Sequence, residues 1–133
     1  MLKQIDHIGI AVRDLNKVIP VYRDIFGLEF LGVEDVPSQK VRVAKFDVGG
    51  VHLEFLEPTA EDSPISKFLN KRGEGIHHIA YLTDDLEAFL KELKSKGMRL
   101  INEQPVKGSS DTYIAFIHPS SSVVLTELVS KGE

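Results

Sequence analysis

The sequence predicts an α+β protein made of two tandem βαβββ modules, because one pattern of elements occurs twice. The strand-like segment Asp6-His7-Ile8 returns as His77-His78-Ile79, at an offset of 71 residues. After each copy, an Asp, a run of apolar residues at helical spacing and a Gly follow in the same order. The chain has 133 residues, of which 42% are hydrophobic, enough for one core but short for two independent domains. We therefore expect a single, internally duplicated domain over residues 1–133.

The first module, about residues 1–58, begins with a strand predicted over Gln4–Val12. Asp14 can cap a helix from about Leu15 to Phe26, and Gly27 suits a left-handed C-cap. Gly49-Gly50 predicts a tight hairpin between the last two strands. Three strands are expected after the helix, near residues 28–34, 40–48 and 50–57.

The second module, about residues 75–133, repeats this plan after a connecting segment over about residues 59–74. The connecting segment predicts a short helix over Ile65–Lys71. A strand over Gly75–Thr83 leads into a helix with apolar residues from Leu86 to Leu93, and Gly97 closes it. Three further strands are expected near residues 98–103, 112–118 and 122–129.

Two His and two Glu residues occupy equivalent positions of the repeat. His7 and His78 lie on the first strand of each module, and Glu54 and Glu127 lie on the last. Each Glu lies in a largely apolar run, Leu53-Glu54-Phe55 or Leu125-Thr126-Glu127-Leu128-Val129, where a carboxylate is costly unless it is paired or binds a metal. If a pseudo-twofold axis relates the modules, the four side chains form one cluster. Their N and O donors suit Co, Mn, Ni, Fe or Zn, and the chain has no Cys to offer a thiolate.

Nearby polar residues fit other roles. Adjacent strand residues point to opposite faces, so only one member of the His-His pair can face the cluster, and the repeat rejects His77. Glu57 has no counterpart in the repeat, and we expect it to be solvated. His52 shares the strand face of Glu54 and is a candidate for contact with a substrate. His118 falls at a turn, where we expect a capping role.

The composition excludes several classes of function. A net charge of -4 argues against nucleic acid as the main partner, since such binding favours a basic face. There is no GxGxxG motif, P-loop or nucleophile signature, so nicotinamide, phosphoryl and covalent chemistry have no support. The N-terminus lacks the apolar region of a signal peptide, and no apolar run approaches the length of a membrane span. We expect a soluble, cytoplasmic protein that acts on a small molecule.

Two carboxylates and two imidazoles around a divalent metal are suited to proton abstraction next to a carbonyl. The metal acts as a Lewis acid on the carbonyl oxygen and stabilises the enolate. A carboxylate beside the carbon acid takes the proton, which contributes about 10²–10⁴-fold to the rate. Return of the proton to the other face of the same carbon gives epimerisation, and return elsewhere gives isomerisation.

The paired βαβββ plan with these His and Glu positions resembles the vicinal oxygen chelate, or glyoxalase, superfamily over nearly the whole chain. Several stretches are similar to the methylmalonyl-CoA epimerases in particular. The most specific is the linker Asp62-Ser63-Pro64-Ile65 followed by Gly75-Ile76-His77-His78-Ile79-Ala80. Further similar stretches are Asp6–Val12, Leu56–Pro58, Phe68-Leu69, Ile117–Pro119 and Val124–Leu128.

The resemblance implies a cupped mixed β-sheet around a metal site and the interconversion of (2R)- and (2S)-methylmalonyl-CoA, a CoA thioester. By position, it implies the metal ligands His7, Glu54, His78 and Glu127. Glu127 also matches a proposed catalytic base. Some relatives carry a second base on the third strand of the first module, but residues 40–45 here include no carboxylate, so Glu54 or a water is the substitute. Modules of the superfamily pair edge to edge, which implies a homodimer.

Three alternatives stay open at this point. A glyoxalase I-type lactoylglutathione lyase shares the His and Glu positions. A metal-dependent extradiol dioxygenase-like enzyme needs only two His and one carboxylate, so a fourth protein ligand argues against it. A non-catalytic binding protein keeps the fold and loses the metal, and the presence of all four ligand positions argues against that reading.

Overall fold

The structure, a computed structural model, describes residues 1–109 and 111–131. Its elements fall into a first unit, His7–His77, and a second unit that combines Met1–Asp6 with the chain from His78 onward. The α+β class is confirmed. In chain order, the strands and α-helices of the described residues are β1 (Leu2–Ala11), α1 (Leu15–Pro20), β2 (Glu29–Val36), β3 (Val41–Val48), β4 (Val51–Pro58), α2 (Pro64–Arg72), β5 (Gly75–Thr83), α3 (Leu86–Ser95), β6 (Val106–Lys107), β7 (Thr112–Ile117), α4 (Pro119–Ser122) and β8 (Thr126–Lys131).

The strands of the first unit are ordered β2-β3-β4-β1. β3 is antiparallel to both β2 and β4, and β1 runs parallel to β4, with His7 opposite His52. Gly49 and Gly50 adopt positive φ angles of +60° and +92°, as a tight turn between β3 and β4 requires. The hairpin and the three strands predicted after the first helix are confirmed.

Helix α1 begins at Leu15, as predicted, and two carboxylates cap its N-terminus. Asp14 accepts a hydrogen bond of 2.9 Å from the N–H two residues further on, and Glu57 accepts one of 2.9 Å from Leu15 N–H. The expectation that Glu57 is solvated is therefore wrong, and only 20% of its side chain is exposed. The reason is that unpaired N–H groups at a helix N-terminus attract a carboxylate. Pro20 has no N–H, and beyond it the helix continues as a π-helical turn over Val21–Ile25.

The sheet of the first unit packs a helix on each face. The face under α2, which we call the α2 face, buries Ala11, Val36, Val41, Val43 and Leu56 against Ile65 and Leu69. The opposite face, the α1 face, buries Ala44, Phe46 and Phe55 against Leu15 and Tyr22. Side chains alternate between faces along a strand, so Glu54 shares the α2 face with Leu56. By the same rule, Lys45 shares that face with Val43.

Helix α2 covers the predicted short helix at residues 65–71 and extends it by one residue at each end. Ser63 caps it by accepting a hydrogen bond of 3.2 Å from Ile65 N–H. Neither this helix nor any other in the described part of the chain is long and apolar enough to cross a membrane.

The strands of the second unit are ordered β5-β8-β7-β6. β5 and β8 are parallel, whereas β7 is antiparallel to β8 and to β6. Asp85 caps α3 by accepting a hydrogen bond of 3.1 Å from Ala88 N–H. Helix α3 packs one apolar side on the sheet, in a cluster of Leu86, Leu90, Ala115, Ile117 and Leu128. The strand and helix that the repeat predicts for the start of this module are confirmed.

The segment after α3 departs from the strand predicted over residues 98–103. Within it, Leu100 makes an isolated bridge with Ile117, and the regular strand β6 comes later in the chain. The side chain of Asn102 accepts the N–H of Phe116 at 2.8 Å. An Asn side chain that replaces a backbone carbonyl in this way competes with regular strand pairing.

The last predicted strand, residues 122–129, also begins later than expected, at Thr126. A short helix, α4, occupies the chain before it, and His118 caps this helix by accepting a hydrogen bond of 3.0 Å from Ser120 N–H. The capping role predicted for His118 is confirmed. Val123 then turns the chain with a φ of +73°, a conformation that β-branched residues rarely adopt.

Candidate functional site

The first unit buries an imidazole against a carboxylate. His7 lies on β1 and Glu54 on the neighbouring strand β4, with Gly9 as the register partner of Glu54. The distance from His7 Nδ1 to Glu54 Oε2 is 3.4 Å, and both residues are buried. The structure therefore brings together the two candidate ligands of this unit.

The second unit holds an equivalent pair. His78 lies on β5 and Glu127 on β8, where Ala80 is the register partner of Glu127. The distance from His78 Nε2 to Glu127 Oε1 is 3.0 Å, and both residues are again buried. The ring of Phe116 packs edge to face on His78, with centroids 5.9 Å apart. Both units therefore have a small residue, Gly9 or Ala80, as the register partner of the Glu.

The imidazole nitrogens and carboxylate oxygens of both pairs are suitable ligands for a divalent metal. A buried carboxylate needs a cation or several hydrogen-bond donors, and a neutral imidazole brings no charge to compensate it. Imidazole N and carboxylate O are ligands for Co, Mn, Ni and Zn, and the buried pairs combine them. Each unit therefore has a His and a Glu that could hold a metal ion. The convergence of all four on one ion stays a prediction.

The other candidate histidines occupy different surroundings. The ring of His77 packs edge to face on Phe68, with centroids 5.0 Å apart, in the first unit. His52 lies opposite His7 on the parallel strand, and its Nε2 is 3.8 Å from Asp47 Oδ1. Its side chain is partly exposed, so contact with a substrate stays a prediction.

Sequence reasoning missed one feature of the α2 face, the ion pair between Lys45 and Glu34. Lys45 Nζ lies 3.1 Å from Glu34 Oε1. Lys45 is also the antiparallel register partner of Glu54, whereas Glu34 lies opposite Val43. The sequence shows a Lys at the end of residues 40–45, which include no carboxylate, but its position beside the candidate ligand follows only from the strand register.

A family model described as the Glyoxalase/Bleomycin resistance protein/Dioxygenase superfamily matches residues 6–116. The chain belongs to this superfamily and has its glyoxalase fold. The sequence predicted this class from the paired modules with a His and a Glu in each. The structure contains the same features.

Relatives and solved structures point to one group within the superfamily. The ethylmalonyl-CoA/methylmalonyl-CoA epimerase of Cereibacter sphaeroides is 35% identical, over 90% of this chain and 90% of that protein. A variant of Streptomyces coelicolor methylmalonyl-CoA epimerase, in complex with 2-nitronate-propionyl-CoA, is 41% identical with a TM-score of 0.93, over 98% of this chain and 96% of that one. The uncharacterised protein YqjC of Bacillus subtilis is 43% identical, over 99% of this chain and 96% of its own length. The predicted resemblance to methylmalonyl-CoA epimerases is confirmed.

Proposed function

We propose that this chain is a metal-dependent epimerase that interconverts (2R)- and (2S)-methylmalonyl-CoA. The observation that carries the proposal is similarity to epimerases of this type along almost the whole chain, at 35–41% identity. Buried His–Glu pairs in both units support the proposal, because they supply the metal-ligating atoms and the base that such a reaction needs.

We assign the metal ligands as His7, Glu54, His78 and Glu127. A divalent metal bound by them would polarise the thioester carbonyl and lower the cost of removing the α-proton. Support for the assignment comes from the repeat, since each unit contributes the same pair of donors from equivalent strands.

The proton transfers belong to the carboxylates. Glu127 takes the α-proton, and Glu54 or a water returns a proton to the opposite face of the carbon. A positioned carboxylate contributes about 10²–10⁴-fold to such a step.

The proposal is tested by α-proton exchange. The protein, loaded with Co²⁺ or Mn²⁺, is incubated with racemic methylmalonyl-CoA in D2O, and deuterium at the α-carbon is followed by mass spectrometry. We expect exchange that depends on the metal and stops when a chelator removes it. Absence of metal-dependent exchange would contradict the proposal. Turnover of the hemithioacetal of methylglyoxal and glutathione in its place would favour the lactoylglutathione lyase alternative.

Several finer properties are part of the same proposal. We infer that the native metal is Co, Mn, Ni or Zn, that the protein is a cytoplasmic homodimer, and that residues 1–133 form one domain. Metal analysis of protein purified without added metal tests the first inference, and sedimentation tests the second. A single cooperative unfolding transition is expected for one domain.

A further inference from the structure

Lys45 lies in a row of polar side chains on the α2 face. In antiparallel strands, residues directly opposite each other point to the same face, with Cβ atoms about 4.5–5.5 Å apart. Lys45 is therefore a direct neighbour of Glu54 on that face, and Glu54 in turn contacts His7. The row, which we call the polar row, consists of Glu34, Lys45, Glu54 and His7.

The burial of Lys45 sets it apart from the other cation on the same strand. Its side chain is only 16% exposed, whereas Arg42, on the α1 face of β3, is 50% exposed. A Lys ammonium removed from water is costly unless an anion compensates it. Glu34 supplies an anion at 3.1 Å, which compensates the charge of the ammonium.

The second unit has an aromatic ring where the first has this cation. Phe116 is the register partner of Glu127, just as Lys45 is the register partner of Glu54. In the second unit, that position supports the imidazole by packing, with Phe116 on His78. A cation is not needed to build a His–Glu pair, since the second unit forms one with an aromatic neighbour. Lys45 therefore calls for a reason specific to the first unit.

We propose that Lys45 binds the free carboxylate of the substrate, and that Glu34 is a positioning residue that holds the ammonium toward it. The inference rests on the proposed function, because a malonyl-type thioester carries a carboxylate next to the carbon that loses its proton. An ammonium has three N–H donors, so pairing with Glu34 is compatible with a second acceptor. Charge-assisted hydrogen bonds of this kind are about twice as strong as neutral ones.

Two ligands that differ by this carboxylate test the proposal. Malonyl-CoA has this carboxylate and propionyl-CoA lacks it. The CoA portion is the same in both, so its contribution cancels when the two affinities are compared. Affinities are measured by isothermal titration calorimetry on the metal-loaded protein. For Lys45→Met, we expect a loss of about tenfold to a hundredfold in affinity for malonyl-CoA and little change for propionyl-CoA. Lys45→Arg should retain most of the preference, because it keeps the charge.

Arg42→Met is the matched control, since it removes a cation from the same strand on the opposite face. It should leave both affinities unchanged. Equal losses for the two ligands in Lys45→Met, or no loss for either, would overturn the proposal. Failure of the proposed function is a separate result, seen as absence of α-deuteration by the wild-type protein. A selective loss of malonyl-CoA binding would then still support a carboxylate site at Lys45.

Discussion

The two units form equivalent His–Glu pairs, but the residues around the pairs differ. In the first unit, the position opposite the Glu is Lys45, and in the second it is Phe116. The residue that precedes the helix-capping turn is the apolar Val12 in the first unit and Thr83 in the second. The duplication thus repeats the His and the Glu of each pair and differs at their neighbours, so under the proposed function the halves can take different roles toward one substrate.

The largest difference between the halves is expected in catalysis. Glu127→Gln keeps the shape of the side chain and removes its capacity to accept a proton, so kcat should fall by about 10²–10⁴-fold. Glu54→Gln should lower kcat less, because a water can substitute for it. α-Proton exchange by both variants is measured by α-deuteration at saturating metal. Glu103→Gln, which changes an exposed carboxylate, is the control. Equal losses in the Glu54 and Glu127 variants would show that the roles are assigned wrongly.

A smaller difference between the halves is expected in how the residue at the end of the first strand of each module affects the stability of the protein. Thr83 Oγ1 is buried and, among the described residues, lacks a hydrogen-bond partner, whereas its repeat equivalent Val12 is an apolar residue in a packed cluster. Thr83→Val should raise the free energy of unfolding by about 1–2 kcal/mol, because an unpaired hydroxyl is removed at constant shape. Val12→Thr should lower it by a similar amount.

Urea denaturation of the two variants provides the measurement. Destabilisation by Thr83→Val would mean that its hydroxyl has a partner, such as a water, that offsets the cost of burial.

The smallest difference concerns the turns before the last strands. Gly50 adopts a φ of +92° in the first unit, and its repeat equivalent Val123 adopts +73° in the second. Strain at such a position costs on the order of 1–3 kcal/mol, part of which the greater freedom of Gly in the unfolded chain offsets. Val123→Gly should therefore stabilise the protein by about 1 kcal/mol, measured as a rise in melting temperature. Val124→Gly, a neighbour without positive φ, should destabilise it, and stabilisation by both would point to a cause other than strain.

Much of the fold could be predicted because its signals are local. The repeat located β1, α1, β5 and α3, and it selected the His and Glu of each buried pair. Features that depend on the register between strands could not be predicted from the sequence. Lys45 is adjacent to Glu54 only through the pairing of β3 with β4. The interruption near Asn102 arises from a bond to a residue fourteen positions further along the chain.

The cap on α1 shows the same limit. The sequence predicts a solvated Glu57, because no residue near it in the sequence requires a carboxylate as a partner. Its partner, Leu15 N–H, lies 42 positions earlier in the chain and is brought to it by the fold. Contacts of this kind depend on the tertiary structure, which the periodicity of a single strand does not contain.

Under the proposed function, each half of the chain supplies two ligands to one metal ion. Co²⁺ titration, followed by visible absorption and by metal analysis after gel filtration, tests it directly. The wild-type chain should bind one Co²⁺ tightly, and both His7→Ala and His78→Ala should weaken that same binding event. Two tight Co²⁺ ions per chain, or a variant in one half that leaves Co²⁺ affinity unchanged, would contradict a shared site.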